Sequence, residues 1–298
     1  ETLVNTLIDN GADVNTKNSH NMTLLMAAAR RGKLALLSDL LKNGANINSE
    51  DRNEKTVLMY AAEGGNKSVI DALLKNGAAA DINAQDEYGI TALIYAVKAG
   101  SIEAVTALLK NGAEANAQDE KGWTVLMHGI DTGDINVVTA LLENGAEVNA
   151  KNKKGVTPLM IAAGKISTDI IAALLEKSAD ANAKDKCGKT ALMFAANGPE
   201  EYDWADYEED VEELDTLPAI DVLLKNGADV NAKNNKGMSP LMFVARWGNR
   251  GAADALLENG AEINAQNRDG KTSLMFAAEK GDKAIGSLLS KNVEINAQ

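Results

Sequence analysis

The sequence predicts an all-α fold, a solenoid of short two-helix repeats. Three observations predict it: the run Thr-x-Leu-Met-x-Ala-Ala or a close variant of it occurs eight times in 298 residues, a Leu-Leu pair follows most runs, and an Asn-Gly-Ala turn usually comes next. The runs begin at Thr23, Thr56, Thr91, Thr124, Thr157, Thr190, Ser239 and Thr272. Because one such unit is too short to bury its apolar side alone, a periodic array predicts that neighbouring units cover each other.

Each segment of the repeat has its own physical role. The first Thr predicts a helix N-cap, since its hydroxyl can accept a backbone N–H, and Pro158 and Pro240 at the next position suit a first helical turn. Glycines nine residues after the cap, such as Gly32 and Gly248, predict the end of the first helix. The apolar spacing before the Leu-Leu pair predicts a second helix. The polar stretch that leads to the next Thr predicts a β-turn finger.

These motifs resemble the ankyrin repeat signature, as in residues 157–163 (Thr-Pro-Leu-Met-Ile-Ala-Ala) and 227–232 (Gly-Ala-Asp-Val-Asn-Ala). The resemblance covers nearly the whole chain and implies one ankyrin-repeat domain over residues 1–298. The methionine-rich signature and the abundance of Lys, Asn and Ile resemble bacterial members more than animal ones. The implied divisions are a half repeat at 1–17 and repeats at approximately 18–50, 51–85, 86–118, 119–151, 152–184, 185–233, 234–266 and 267–298.

The sequence departs from the family pattern in two ways. Where the family usually has His, this chain has Ile94 and seven methionines, which are Met26, Met59, Met127, Met160, Met193, Met242 and Met275. A methionine column could hold a soft metal, but Met is a flexible core filler, so we expect apolar packing there. Ser178 and Val293 replace the glycine after the second helix, and Ile166 replaces the turn glycine. We therefore expect the fifth and last repeats to be locally less regular.

The sixth repeat contains a 16-residue acidic insertion within residues 199–215, which has ten acidic and no basic residues. Most of the net charge of −13 is therefore local. The spacing of Trp204, Tyr207, Val211 and Leu214 predicts a short amphipathic helix. The insertion could receive a basic partner segment, bind Ca²⁺, cover the groove as a lid, or be a solvated loop with no role. The calcium alternative lacks the Asp-x-Asp-x-Asp-Gly loop.

The resemblance implies a protein partner that contacts the concave face, at the finger tips and the ends of the first helices. Trp and Arg are enriched among residues that dominate interface energies. The resulting candidates are Trp123, Arg246, Trp247, Tyr88, Arg30 and Arg31, with Tyr202, Trp204 and Tyr207 from the insertion. The wider set of finger positions includes Arg52, Lys55, Ile90, Lys154, Val156, Lys189, Met238 and Arg268. Trp123 could instead pack flat on the next finger, and the column Tyr60, Tyr95, Phe194, Phe243 and Phe276 is expected in the core.

The sequence offers no arrangement of residues for catalysis. His20 and His128 lie three repeats apart, and Cys187 is about two repeats from His128, so no nucleophile–base pair is expected. The glycines follow the repeat period rather than a phosphate loop, and zinc-ligand spacing is absent. We therefore expect a protein–protein interaction scaffold without catalytic activity, cofactor or metal. The alternatives are a structural spacer or a calcium-responsive module that acts through the insertion.

Charge and composition limit the partners. The net charge of −13 disfavours nucleic acid and anionic membrane surfaces, which require a basic patch. No apolar run approaches the roughly 18 residues of a membrane span, and the single cysteine excludes an internal disulfide. We expect a monomer that binds another protein. A cytoplasmic location is favoured, and a secreted or exported form remains open.

Overall fold

The computed structural model describes residues 3–78, 82–197 and 215–280. The chain divides into two compact units, residues 1–147 and 148–298, and whether these form a single domain stays a prediction. The described part of the first unit contains α1 (Leu3–Asp9), α2 (Leu24–Arg30), α3 (Leu34–Lys42), α4 (Val57–Glu63), α5 (Lys67–Lys75), α6 (Ala92–Lys98), α7 (Ile102–Lys110), α8 (Val125–Thr132) and α9 (Ile135–Glu143). That of the second contains α10 (Pro158–Gly164), α11 (Thr168–Glu176), α12 (Ala191–Asn197), α13 (Leu217–Lys225), α14 (Pro240–Trp247), α15 (Arg250–Glu258) and α16 (Ser273–Lys280).

The helices of each unit form two rows, because every repeat contributes a first and a second helix. The first helices contact one another in the order α2, α4, α6 and α8 in one unit and α10, α12, α14 and α16 in the other. The second helices form the other row. They contact one another in the order α3, α5, α7 and α9 in one unit and α11, α13 and α15 in the other. The expected all-α solenoid of two-helix repeats is confirmed. The second helix expected in the last repeat falls outside the described residues.

Most first helices are capped by a Thr hydroxyl, and in some of them a second, reciprocal bond closes the cap. The hydroxyls of Thr23, Thr56, Thr91, Thr124 and Thr157 accept the N–H of the third helical residue at 3.2–3.3 Å. In three of these repeats the methionine sulfur accepts the N–H of the same Thr at 3.4 Å. The expected hydroxyl cap is wrong for two repeats, since the buried hydroxyls of Thr190 and Ser239 have no hydrogen-bond partner.

The methionine column is buried, as expected. Six of its members have no exposed surface: Met26, Met59, Met127, Met160, Met193 and Met242. Their second role, in which the thioether serves as a weak acceptor at the cap, was not foreseen. Methionine at this position therefore fills the core and also satisfies a backbone donor that the helix leaves unpaired.

The fifth repeat is as regular as its neighbours, so the expectation of irregularity there was wrong. Ile166 and Ser178 have φ values of 57° and 64°, in the left-handed region that Gly133 and Gly145 occupy one repeat earlier. The Ser178 N–H still donates to the Leu175 carbonyl at 2.9 Å. The surrounding bonds hold these two residues in a conformation that disfavours an L side chain, so the backbone is strained rather than rearranged. Val293 lies outside the described residues.

Asparagine side chains join successive repeats behind the fingers. Asn116 donates from Nδ2 to the Gly145 carbonyl at 3.1 Å, and its Oδ1 accepts the Glu147 N–H at 2.7 Å. The same pair of bonds recurs at Asn83, Asn149, Asn182 and Asn231. Because the amide supplies both a donor and an acceptor, the last Asn of the Asn-Gly-Ala-x-x-Asn motif fixes the spacing between neighbouring repeats.

Candidate protein-binding face

We define the finger face as the β-turn fingers together with the carboxyl ends of the first helices. Within each unit, successive fingers are joined by a backbone bond, as when the Glu120 N–H donates to the Tyr88 carbonyl at 3.0 Å. In the second unit Asn235 donates to Cys187 at 2.9 Å and Arg268 to Lys236 at 3.0 Å. The fingers are so close that a Cβ on Gly188 would lie 2.9 Å from the Asn235 nitrogen. The face of each unit is therefore a preformed surface.

One side chain fixes the shape of each finger. Asp51 Oδ1 accepts the N–H groups of Asn53 and Lys55 at 2.8 and 2.9 Å, which folds the backbone into a tight turn. The same two bonds form at Asn18, Asp86, Asp119, Asn152, Asp185, Asn234 and Asn267. Asp and Asn are interchangeable in this role, since both offer an acceptor oxygen.

The second carboxylate oxygen connects the finger to the first helix in three repeats. Tyr95 donates to Asp86 Oδ2 at 2.6 Å, and His128 Nε2 lies 3.0 Å from Asp119 Oδ2. The aromatic column was expected in the core, and Tyr60 and Phe194 are 5% and 1% exposed. Burial, reinforced by the bond to Asp86, holds the pKa of the Tyr95 phenol well above its ordinary value.

The side chain of Asp119 is only 8% exposed, yet its ionised form is favoured. Burial opposes ionisation, but hydrogen bonds from His128 and from the Trp123 and Lys121 N–H groups outweigh it. Together they hold the pKa of Asp119 below its ordinary value. The ionised carboxylate of Asp119 therefore stabilises this finger, and protonation at low pH would remove that charge.

Several finger positions proposed as contacts are buried, which corrects the wider set. Lys55, Ile90, Val156 and Met238 are only 7–8% exposed. Each immediately precedes the Thr or Ser cap, and at this position the side chain turns inward onto the first helices. Lys55 shows how a charge is accommodated there, since its Nζ lies 2.9 Å from Glu63 Oε2.

The Lys55 ammonium also lies against two aromatic rings of the first-helix row. It is 3.7 Å from the centroid of Tyr95 and 4.6 Å from that of Tyr60, in cation–π contact. Arg30 Nε lies 3.1 Å from the Glu63 oxygen that Lys55 contacts. Arg30 is exposed as expected, but its guanidinium is partly engaged in this contact with Glu63, which joins neighbouring repeats. Arg31 is exposed.

Tyr88 and Trp123 differ in how far they project from the first unit. Tyr88 is 55% exposed at a finger tip. Trp123 is only half-buried, and its ring centroid lies 5.4 Å from that of His128 with the planes tilted by 45°. The indole therefore contacts the aromatic column of its own repeat and keeps part of its surface in solvent.

Arg246 and Trp247 lie together at the end of α14 in the second unit. Trp247 is 36% exposed, and its Nε1 donates to Asn197 Oδ1 of the neighbouring first helix at 3.3 Å. The Arg246 guanidinium carbon is 5.6 Å from the Trp247 ring centroid. Tyr202, Trp204 and Tyr207 lie outside the described residues, as does the segment on which the calcium alternative depends.

A groove of about 440 Å³ opens beside Arg246, and we call it the finger groove. It was not foreseen as a unit, although Lys189, Met238 and Arg246 belonged to the candidate sets. Its lining comes from three successive fingers and two first helices: Lys186, Cys187, Lys189, Asn234, Asn235, Lys236, Met238, Phe243, Arg246, Asn267, Asp269, Lys271 and Phe276. Within 3–78, 82–197 and 215–280, no group of three or more His, Cys, Asp or Glu could hold a metal ion. The longest described helices have nine residues, and none could cross a membrane.

Paired helices that carry a row of fingers define a helical repeat protein of the solenoid class. A family model for ankyrin repeats (3 copies) matches residues 1–86, 78–152 and 211–298, and one for ankyrin repeats (many copies) matches 141–195. The chain belongs to the ankyrin repeat family. Ankyrin repeats generally mediate protein–protein interactions, and proteins of this family are typically non-enzymatic modules. A search of curated proteins found no match.

Proposed function

We propose that this chain is an interaction scaffold that binds a protein partner on its finger face, with the finger groove as the main contact. The observation that carries the proposal is the exposed Arg246–Trp247 pair at the edge of an open groove with an aromatic floor. Residues that dominate interfaces are often aromatic or Arg side chains at the centre of such a patch.

The rigidity of the face supports the same role. Backbone bonds between fingers and the bond from Trp247 to Asn197 hold the contact residues before any partner arrives. A preformed site loses less conformational entropy on binding, so more of the contact energy is available for affinity. Trp247 is also partly buried, which limits the rotamers that a partner would have to fix.

Site-specific photo-cross-linking in cells tests where the partner binds. A photoreactive residue replaces Tyr88 or Arg246 on the finger face and, as matched controls, Lys42 or Lys177 at the ends of second helices. We expect one protein to be captured repeatedly from a finger-face position, most strongly from position 246, and not from the control positions. Adducts are identified by mass spectrometry.

A structural spacer would give a different result, because its surface would recognise nothing. Equal, heterogeneous labelling from all four positions would favour a spacer and contradict the proposed function. A single partner captured only from positions 42 and 177 would place binding on the second-helix side and would contradict the choice of face.

A further inference from the structure

We propose that the finger groove selects an extended acidic segment that carries an apolar or aromatic anchor. This inference rests on the proposed function and specifies the chemistry of the partner. The net charge of the chain is −13, yet five cationic side chains and one acidic one line the groove. A local reversal of charge in an acidic protein favours partners whose charge complements the groove.

The floor of the groove is apolar and lies between two lysines. Its apolar lining includes Met238 and Phe243, which are 7% and 5% exposed, and Phe276. Lys189 Nζ lies 5.8 Å from the Phe243 ring centroid, and Lys271 Nζ lies 5.5 Å from that of Phe276. An apolar side chain on this floor would therefore have a cation on either side.

The rim supplies exposed cations at successive fingers. Lys186 and Lys236 project from neighbouring fingers, and Arg246 stands on the first helix behind them. Glu279 pairs with Lys271, and Asp269 is the acidic residue of the described lining. Five cationic side chains against one acidic side chain make this lining basic.

Geometry favours an extended chain over a helix in the groove. Neighbouring helices of stacked repeats lie about 8–10 Å apart, and one three-residue turn of an extended polyproline II segment covers about 9 Å, with every third side chain on the same face. A segment that runs along the fingers could therefore present a carboxylate to each finger at every third residue. The intervening side chains would reach the Met238–Phe243 floor.

The direct test is fluorescence anisotropy with a labelled octapeptide of sequence EEFEEFEE and the full chain. We expect saturable binding that weakens at least tenfold in Lys186→Glu/Lys236→Glu. The matched control Lys177→Glu/Lys225→Glu makes the same change in net charge at second-helix ends of the same unit and should bind as the wild type does. Binding should weaken when the Phe residues of the peptide become Ala. Circular dichroism checks that both variants remain folded.

Several outcomes would overturn the inference. These are no binding at 1 mM peptide, an equal loss in both charge variants, preference for the Lys-for-Glu peptide, or tighter binding of single-stranded oligo(dT) than of the peptide. The two proposals fail separately. A partner cross-linked at position 246 that lacks any acidic segment would contradict the acidic preference and leave the proposed function intact. Peptide binding without a cross-linked partner would contradict the proposed function and leave the acidic preference intact.

Discussion

The Tyr60 hydroxyl donates to Asp51 Oδ2 at 2.7 Å and so joins a first helix to the finger that precedes it. This bond between finger and helix recurs only in repeats whose first helix carries an aromatic side chain that ends in a polar group. Asp stands at the finger position in the repeats of Tyr60, Tyr95 and His128. Asn stands there in four repeats whose helix carries an apolar side chain, namely those of Ala27, Ile161, Phe243 and Phe276. Asp185, opposite Phe194, is the exception.

Tyr60→Phe should destabilise the chain by roughly 1.5–3 kcal/mol, because it leaves a partly buried carboxylate oxygen without its donor. Adding Asp51→Asn should then recover about 1 kcal/mol, since the pair becomes the Asn–Phe combination of other repeats. Urea unfolding of the two single variants and the double variant measures the coupling. Asp185→Asn is the matched control and should be nearly neutral. Additive effects of the two changes would contradict the pairing.

Acid should weaken the Asp119 finger. The pKa of Asp119 is lower in the folded chain than in the unfolded chain, so its stabilising effect is complete above about pH 4. That effect is lost as the pH falls through the folded pKa. The stability advantage of the wild type over Asp119→Asn should therefore shrink between pH 6 and pH 3. Urea midpoints measured across this range test it, and a constant difference would exclude the effect.

Alkali should reveal the two phenols that donate to finger carboxylates. Burial and carboxylate partners raise the pKa of Tyr60 and of Tyr95 above the ordinary value near 10. The neutral phenols stabilise the fold fully below pH 10, and this stabilisation is lost as the pH rises towards the folded pKa. In an absorbance titration at 295 nm, a late-ionising fraction should be present in the wild type. It should be missing from Tyr60→Phe/Tyr95→Phe; a late fraction that persists there would assign it to other tyrosines.

Ser178→Gly should stabilise the chain by about 1 kcal/mol, because Ser178 is exposed and has φ of 64°. Gly260 stands at the equivalent turn with φ of 87°, and a Cβ at that position would have no atom within 4 Å. Gly260→Ser should therefore lose a similar amount. Thermal unfolding of both variants measures the changes. A loss of stability in Ser178→Gly would mean that its hydroxyl contributes more than the strain costs.

The sequence predicted the helices well, because their signals are local and recur. A Thr cap, a turn glycine and a Leu-Leu pair each act within one repeat. The bonds of Asn116 join residues 29–31 positions apart, and no rule of local spacing gives them. The Asp51–Tyr60 bond could have been found by comparing repeats, because Asp accompanies Tyr at a fixed interval of nine residues.

The site was predicted less completely, for a geometric reason. Burial at the position before the cap depends on how a finger lies over the first helix, so local spacing predicts Lys55 and Ile90 as contacts although both are buried. The exposure of Arg246 and Trp247 was predicted correctly, because both residues come directly after the position in the first helix that the buried Ala pair occupies in other repeats. The finger groove arises from three repeats that are distant in sequence, which no single motif reveals.

The central claim is that Arg246 and Trp247 form the binding contact, and the affinity of the partner captured from position 246 tests it most directly. Isothermal titration calorimetry compares the wild type with Arg246→Ala/Trp247→Ala and with Arg250→Ala, a control on the neighbouring second helix. We expect the double variant to lose at least tenfold in affinity, about 1.4 kcal/mol, while remaining folded. The control should bind unchanged. Equal affinity in all three proteins would contradict the account.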